Sequence, residues 1–164
     1  MARTRQVSRK GSHLSQSIRG YRGYTSSKVA HRTDQVFSEE VLSRLSETMA
    51  TVTRMKRMSS VSHNPDLLAA LDWIFESIDG LAKCVTDGVP MDSVLLDALE
   101  NGRAGEIVGL DSEILEKVGN INQAMSMMDL EGGAGMSPEE LESVCELLDD
   151  LGDSIRQRAM LIAG

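Results

Sequence analysis

Apolar residues after residue 37 recur at intervals of three and four positions, which is the spacing that places them on one face of an α-helix. The pattern predicts five helices, over about 38–58, 65–85, 91–101, 111–130 and from 138 to near the C-terminus. Residues 102–110 are predicted to form a loop or a brief extended piece. No segment shows a convincing strand pattern. The predicted fold class is therefore all-α, a small helical bundle of about five helices.

Capping signals support these helix starts. In Asn64–Pro65, an N-cap residue precedes a proline at the first helical position, where its missing N–H costs nothing. The segment Ser137–Glu140 has the residues of a capping box. Ser38 and Asp111 are the predicted N-caps of the first and fourth helices.

The N-terminal part of the chain lacks a sustained apolar period. Arginine, serine, glycine and threonine dominate it, so burial of apolar surface could not offset the entropy of ordering it alone. We expect residues 1–34 to form a basic, disordered arm and residues 35–164 to form an acidic helical domain.

Charge divides the chain in the same way. Residues 1–33 contain eight basic and no acidic residues, a net charge of +8, whereas residues 34–164 carry −16, and the two together give the overall −8. A basic arm of this kind is typical of nucleic-acid binding, because contacts with phosphates release counterions. Two tyrosines beside arginines add rings on which bases could stack. The predicted nucleic-acid-binding residues are Arg3, Arg5, Arg9, Lys10, Arg19, Arg22, Lys28, Arg32, Tyr21 and Tyr24.

The first residues, ARTRQVSRK, resemble the N-terminal tail of a core histone. The matching positions are Ala2, Arg3, Thr4, Gln6, Arg9 and Lys10. The resemblance implies a modifiable lysine at Lys10, and it covers nine residues of 164. Nothing after residue 34 suggests a histone fold, and basic tails converge easily, so we interpret the match as convergence.

No motif for phosphate-binding loops, dinucleotide binding, zinc proteases or serine hydrolases is present. The three histidines lie outside the best predicted helices, which disfavours a histidine-based nucleophilic site. Residues 129–140 have acidic or hydroxyl side chains at several EF-hand ligand positions, but Ala134 replaces the glycine that the calcium loop requires. We therefore expect no catalytic residue, no metal and no cofactor.

These features predict a non-enzymatic structural or assembly protein. Its helical domain would form homo-oligomers, and its arm would bind nucleic acid or another polyanion. Virion coat, scaffold and internal proteins, and nucleoid-type packaging proteins, have this layout, which suggests a virion or the cytoplasm as its location. Trp73 lies off the centre of its apolar stripe and is a candidate anchor for a partner interface.

Two alternatives remain open. In one, the protein is an adaptor or regulator whose arm is a peptide motif for a protein partner, such as an ATPase. In the other, it is a helical subunit imported into an organelle, since residues 1–33 are rich in arginine and serine and free of acids. No run of apolar residues is long enough for a membrane span.

Overall fold

A computed structural model describes residues 11–131 and 136–164. After a helical segment over residues 11–17, the chain forms α1 (Ser27–Met55), α2 (Ser59–Ser62), α3 (Pro65–Asp87), α4 (Asp92–Glu100), α5 (Ala104–Leu130) and α6 (Pro138–Ala163). The described residues contain no strand, so the predicted all-α class is confirmed. Within the same residues, no helix is both long and apolar enough to cross a membrane.

The four long helices form the bundle. α1 packs against α5 and α3, and α6 packs against the same two helices, while the shorter α4 contacts α1 and α6. One aliphatic core joins them, with Leu45, Ile78, Ile121 and Leu151 among its buried residues. Removal of their apolar surface from water is the main stabilising contribution, at about 25 cal/mol per Å².

Two helix starts are as predicted. The Asn64 side chain accepts hydrogen bonds from the N–H groups of Asp66 and Leu67, at 3.1 and 3.2 Å. At α6, the Glu140 N–H donates to Ser137 Oγ at 3.2 Å, and the Ser137 N–H donates to Glu140 Oε2 at 2.9 Å. Each N-cap satisfies helix N–H groups that would otherwise lack partners, and a cap of this kind contributes about 1 kcal/mol.

Two other starts differ from the prediction. α1 begins at Ser27 rather than near residue 38, so Ser38 is a buried residue inside the helix and not its cap. α5 begins at Ala104, so residues 104–110 are helical and Asp111 is a helix-interior residue. In α1, Thr33 and Asp34 occupy inward positions and interrupt the apolar period on which the prediction depended. In α5 the buried residues of 104–110 are apolar, and the polar inward residue, Asp111, follows them.

Candidate nucleic-acid interface

The basic segment after residue 10 is folded onto the bundle. Leu14 and Ile18 belong to the buried core, and the predicted boundary between arm and domain, at residues 34 and 35, falls inside α1. This corrects the expectation that the whole of 1–34 is a disordered arm. Residues 11–34 pack against the bundle, because several of their side chains are apolar or aromatic and become buried. Residues 1–10 lie outside the described part of the chain.

Residues 19–24 contain the triplet Arg-Gly-Tyr twice, and the two copies share a glycine conformation and a burial pattern. Each glycine has a positive φ, +94° at Gly20 and +68° at Gly23, which favours glycine over residues with a side chain. Each tyrosine points inward, with 2% of Tyr21 and 6% of Tyr24 exposed, whereas both arginines are exposed. The repeat therefore turns two aromatic rings into the protein and two cations outward.

The two tyrosines end in a buried polar cluster. The hydroxyls of Tyr21 and Tyr24 both donate to Asp111 Oδ2, at 2.8 and 3.0 Å. Arg158 donates from Nε to Asp111 Oδ1 at 2.6 Å, and from Nη2 to Asp34 Oδ1 at 2.6 Å and to the Tyr24 hydroxyl at 2.8 Å. The two rings meet edge to face at 6.3 Å. We call these five residues the buried network.

The buried network has two carboxylates and one guanidinium. Burial raises the pKa of Asp111, although Arg158 acts in the opposite direction. Burial alone would lower the pKa of Arg158, but the Asp111 and Asp34 carboxylates and Tyr24 more than offset it, so the guanidinium stays charged. Burial also raises the pKa of Tyr21 and Tyr24, and the Asp111 charge is the second cause in the same direction. Both hydroxyls therefore stay protonated and can donate hydrogen bonds.

The buried network connects the N-terminal segment to the rest of the bundle. Asp34 belongs to α1, Asp111 to α5 and Arg158 to α6, so the tyrosines contact groups from three helices. The Arg158 guanidinium also lies 4.7 Å from the Phe37 ring centroid, a cation–π contact. The cluster is enclosed and its members hydrogen-bond to one another, so it fixes the position of the Arg-Gly-Tyr repeat.

The outer surface of this segment is basic. Arg19, Arg22, Lys28 and Arg32 are exposed, and none of them forms an ion pair within the described residues. Lys28 and Arg32 are four residues apart on α1 and therefore share a face. Arg32 donates to the neutral Gln35 side chain, at 3.0 Å. We call these four residues the basic surface.

Basic residues elsewhere are mostly neutralised. Of the nine that follow residue 33, seven form ion pairs with carboxylates of the same chain; they are Arg44, Arg54, Lys56, Lys83, Lys117, Arg156 and Arg158. Arg103 instead donates to the Leu161 carbonyl at 2.7 Å, and Arg57 is exposed without an ion pair among the described residues. Unpaired positive charge in the described chain is thus concentrated in residues 19–32.

The predicted site residues fall into three groups. Four of them, Arg3, Arg5, Arg9 and Lys10, lie outside the described residues, and four form the basic surface. Tyr21 and Tyr24 differ from the prediction: they are buried, so their rings are not available to bases, which is a correction to the proposed stacking role. Trp73 is 44% exposed on α3, and its role in an interface stays a prediction.

Sequence reasoning missed the charged members of the buried network. Each one replaces an apolar residue within a helical stripe. Asp34 lies between Ala30 and Phe37, Asp111 between Ile107 and Ile114, and Arg158 between Ile155 and Ile162, always at spacings of four and three. Two acidic residues and one basic residue on the inward faces of different helices are a signal that could have identified the cluster.

Comparisons with family models, curated proteins and solved structures give no match for this chain. Within residues 11–131 and 136–164, no group of three or more His, Cys, Asp or Glu side chains is placed to hold a metal ion.

Proposed function

We propose that this chain is a non-enzymatic assembly protein that binds nucleic acid through its basic N-terminal residues and associates with copies of itself through its helical body. The contact residues are the basic surface together with Arg3, Arg5, Arg9 and Lys10. Such a protein would act as a virion coat, scaffold or internal protein, or as a nucleoid-type packaging protein.

The observation that carries the proposal is the unpaired charge of the basic surface. The protein has 25 acidic residues and a net charge of −8, yet these cations are exposed and have no carboxylate partner in the described chain. Cations that are exposed and lack carboxylate partners, in a protein where acids are abundant, are available to another molecule. A phosphate backbone suits them, since its contacts release counterions and need no base-specific geometry.

Charge removal within the full chain tests nucleic-acid binding. Deleting residues 1–33 would remove both tyrosines of the buried network and damage the fold, so substitutions are preferable. The test variant carries Arg19→Gln, Arg22→Gln, Lys28→Gln and Arg32→Gln, and its binding to a labelled 20-base-pair duplex is followed by fluorescence anisotropy across a salt series. The salt dependence of log K should become less steep by about 0.9 for each lost phosphate contact.

A matched control removes the same number of charges from the helical body. It carries Lys56→Gln, Arg57→Gln, Lys83→Gln and Arg156→Gln, which leave the basic surface intact. We expect this control to retain the slope of the wild type. Equal weakening in both variants, or a wild type whose affinity is independent of salt, would refute binding through the basic surface.

Self-association is supported by large apolar side chains that remain in contact with solvent. They include Trp73, Met91, Met127, Leu130 and Met160. Exposed aromatic and methionine side chains are common at the centres of protein interfaces. Light scattering after size exclusion should show an oligomer that dissociates in Trp73→Ala but not in Met160→Ala, if Trp73 is the anchor. A monomeric wild type at high concentration would exclude this part of the proposal.

A further inference from the structure

A cleft of about 350 Å³ lies beside the Arg-Gly-Tyr repeat. Its walls come from the helical segment 11–17, from residues 22–25 and from the first turns of α5. This volume is within the range of small-ligand pockets, roughly 300–1,000 Å³. The cleft is separate from the buried network, although Tyr24 contributes to both.

The lining of the cleft favours an anion. Arg22 is its charged residue, Thr25 contributes a hydroxyl group, and no acidic side chain is among the described residues that line it. Ser15 also lines the cleft, but its hydroxyl donates to the Ser12 carbonyl at 3.0 Å. Glycines at positions 11, 23 and 105 leave room for a ligand to approach the backbone. The net charge of the protein is −8, so a cleft whose described lining has an arginine and no acid differs from the acidic average of the chain.

Arg22 is also held in a fixed backbone position. Tyr21 and Tyr24, on either side of it in the sequence, are anchored to Asp111. The Gly23 carbonyl accepts a hydrogen bond from the buried Thr33 hydroxyl at 3.0 Å. Because the backbone on both sides is fixed, less conformational entropy is lost when Arg22 binds a ligand than on a free chain.

We infer that this cleft binds one phosphate group of the nucleic-acid backbone, with the Arg22 guanidinium as its main contact and Thr25 as a second hydrogen-bond donor. The inference rests on the proposed function and adds a specific position on the protein for the nucleic-acid backbone. A guanidinium offers two parallel N–H donors in a planar fork that matches two phosphate oxygens, whereas an ammonium group acts as a point charge without that geometry. The other members of the basic surface would then act as general electrostatic contacts.

The test compares two arginines that occupy equivalent positions in the repeat. Arg19→Gln and Arg22→Gln remove the same charge, but Arg19 does not line the cleft. With the labelled duplex at constant salt, we expect Arg19→Gln to weaken binding by less than about 5-fold, as for an exposed ion pair. Arg22→Gln should weaken it by at least about 10-fold, as for a charge-assisted hydrogen bond.

Two further variants separate geometry from charge. Arg22→Lys should remain at least about 5-fold weaker than the wild type, because lysine keeps the charge and loses the paired donors. Thr25→Val should weaken binding without changing the salt slope. The inference is overturned, with the proposed function intact, if Arg22→Gln equals Arg19→Gln and Arg22→Lys equals the wild type. A wild type that does not bind the duplex overturns both.

Discussion

Arg158 and Arg22 both lie near Tyr24, yet their surroundings are opposite. Arg158 is 7% exposed and is shared between two carboxylates and a hydroxyl. Arg22 is exposed, has no ion-pair partner in the described chain and borders an open cleft. The first arginine satisfies charges inside the bundle, whereas the second leaves its charge exposed to solvent.

The segment therefore has two faces with different surroundings, and we propose a separate role for each. Its inner face contributes tyrosines that complete the buried network, and its outer face carries cations that form no ion pair with residues 11–131 or 136–164. A basic sequence is thus compatible with a folded segment when aromatic residues between the cations supply the burial. Substitutions on the inner face should change stability, and substitutions on the outer face should change binding.

The largest effect is expected from Arg158→Met. It leaves two carboxylates buried without their cation, and loss of one partner from a buried ion pair costs about 3–5 kcal/mol. The free energy of unfolding should fall by that amount in urea titrations, and trypsin should cleave faster after the exposed Arg19 and Arg22. Arg156→Met is the control, because its pair with Asp153 is exposed and should contribute at most about 1 kcal/mol. Similar losses in both variants would contradict the importance of the buried network.

A smaller loss is expected from each tyrosine hydroxyl. Tyr21→Phe removes one donor to Asp111, and a hydrogen bond to a charged group contributes about 1.5–3 kcal/mol. Tyr24→Phe should lie at the upper end of this range, since its hydroxyl also accepts from Arg158. Both rings keep their packing, so urea unfolding isolates the hydroxyl contribution. If Tyr21→Phe proved more destabilising than Tyr24→Phe, this order would be wrong.

The pH dependence of stability tests the charge of Asp111. Its pKa is raised in the folded state, so the folded protein retains this proton more readily than the unfolded chain. The resulting stabilisation is present below the unfolded pKa and is lost as pH rises through the folded pKa. The unfolding free energy of the wild type minus that of Asp111→Asn should therefore decrease between pH 4 and pH 7. An increase over this interval would mean that Arg158 outweighs burial.

The sequence predicted the bundle better than it predicted the site. Five apolar stripes and two capping motifs identified most helices, because those signals are local. The start of α1 and the buried network were missed because Asp34, Asp111 and Arg158 resemble surface residues until their partners are known. Those partners are distant in sequence, as with Tyr24 and Arg158. Charge singled out the basic residues of 19–32 as a group, but it could not show that they have no ion pairs among the described residues or that the tyrosines between them are buried.

The smallest change in stability is expected from the outer arginines. Arg19→Gln and Arg22→Gln, alone or together, should alter the free energy of unfolding by no more than about 0.5 kcal/mol, as for substitutions of exposed side chains. The same urea titrations used for Arg158→Met provide the measurement. A small loss of unfolding free energy together with weakened duplex binding would show that the outer face affects binding and not stability. The opposite result is a fall in the free energy of unfolding of roughly four times the value expected for exposed side chains, about 2 kcal/mol or more. It would show that these arginines also hold the Arg-Gly-Tyr repeat in place.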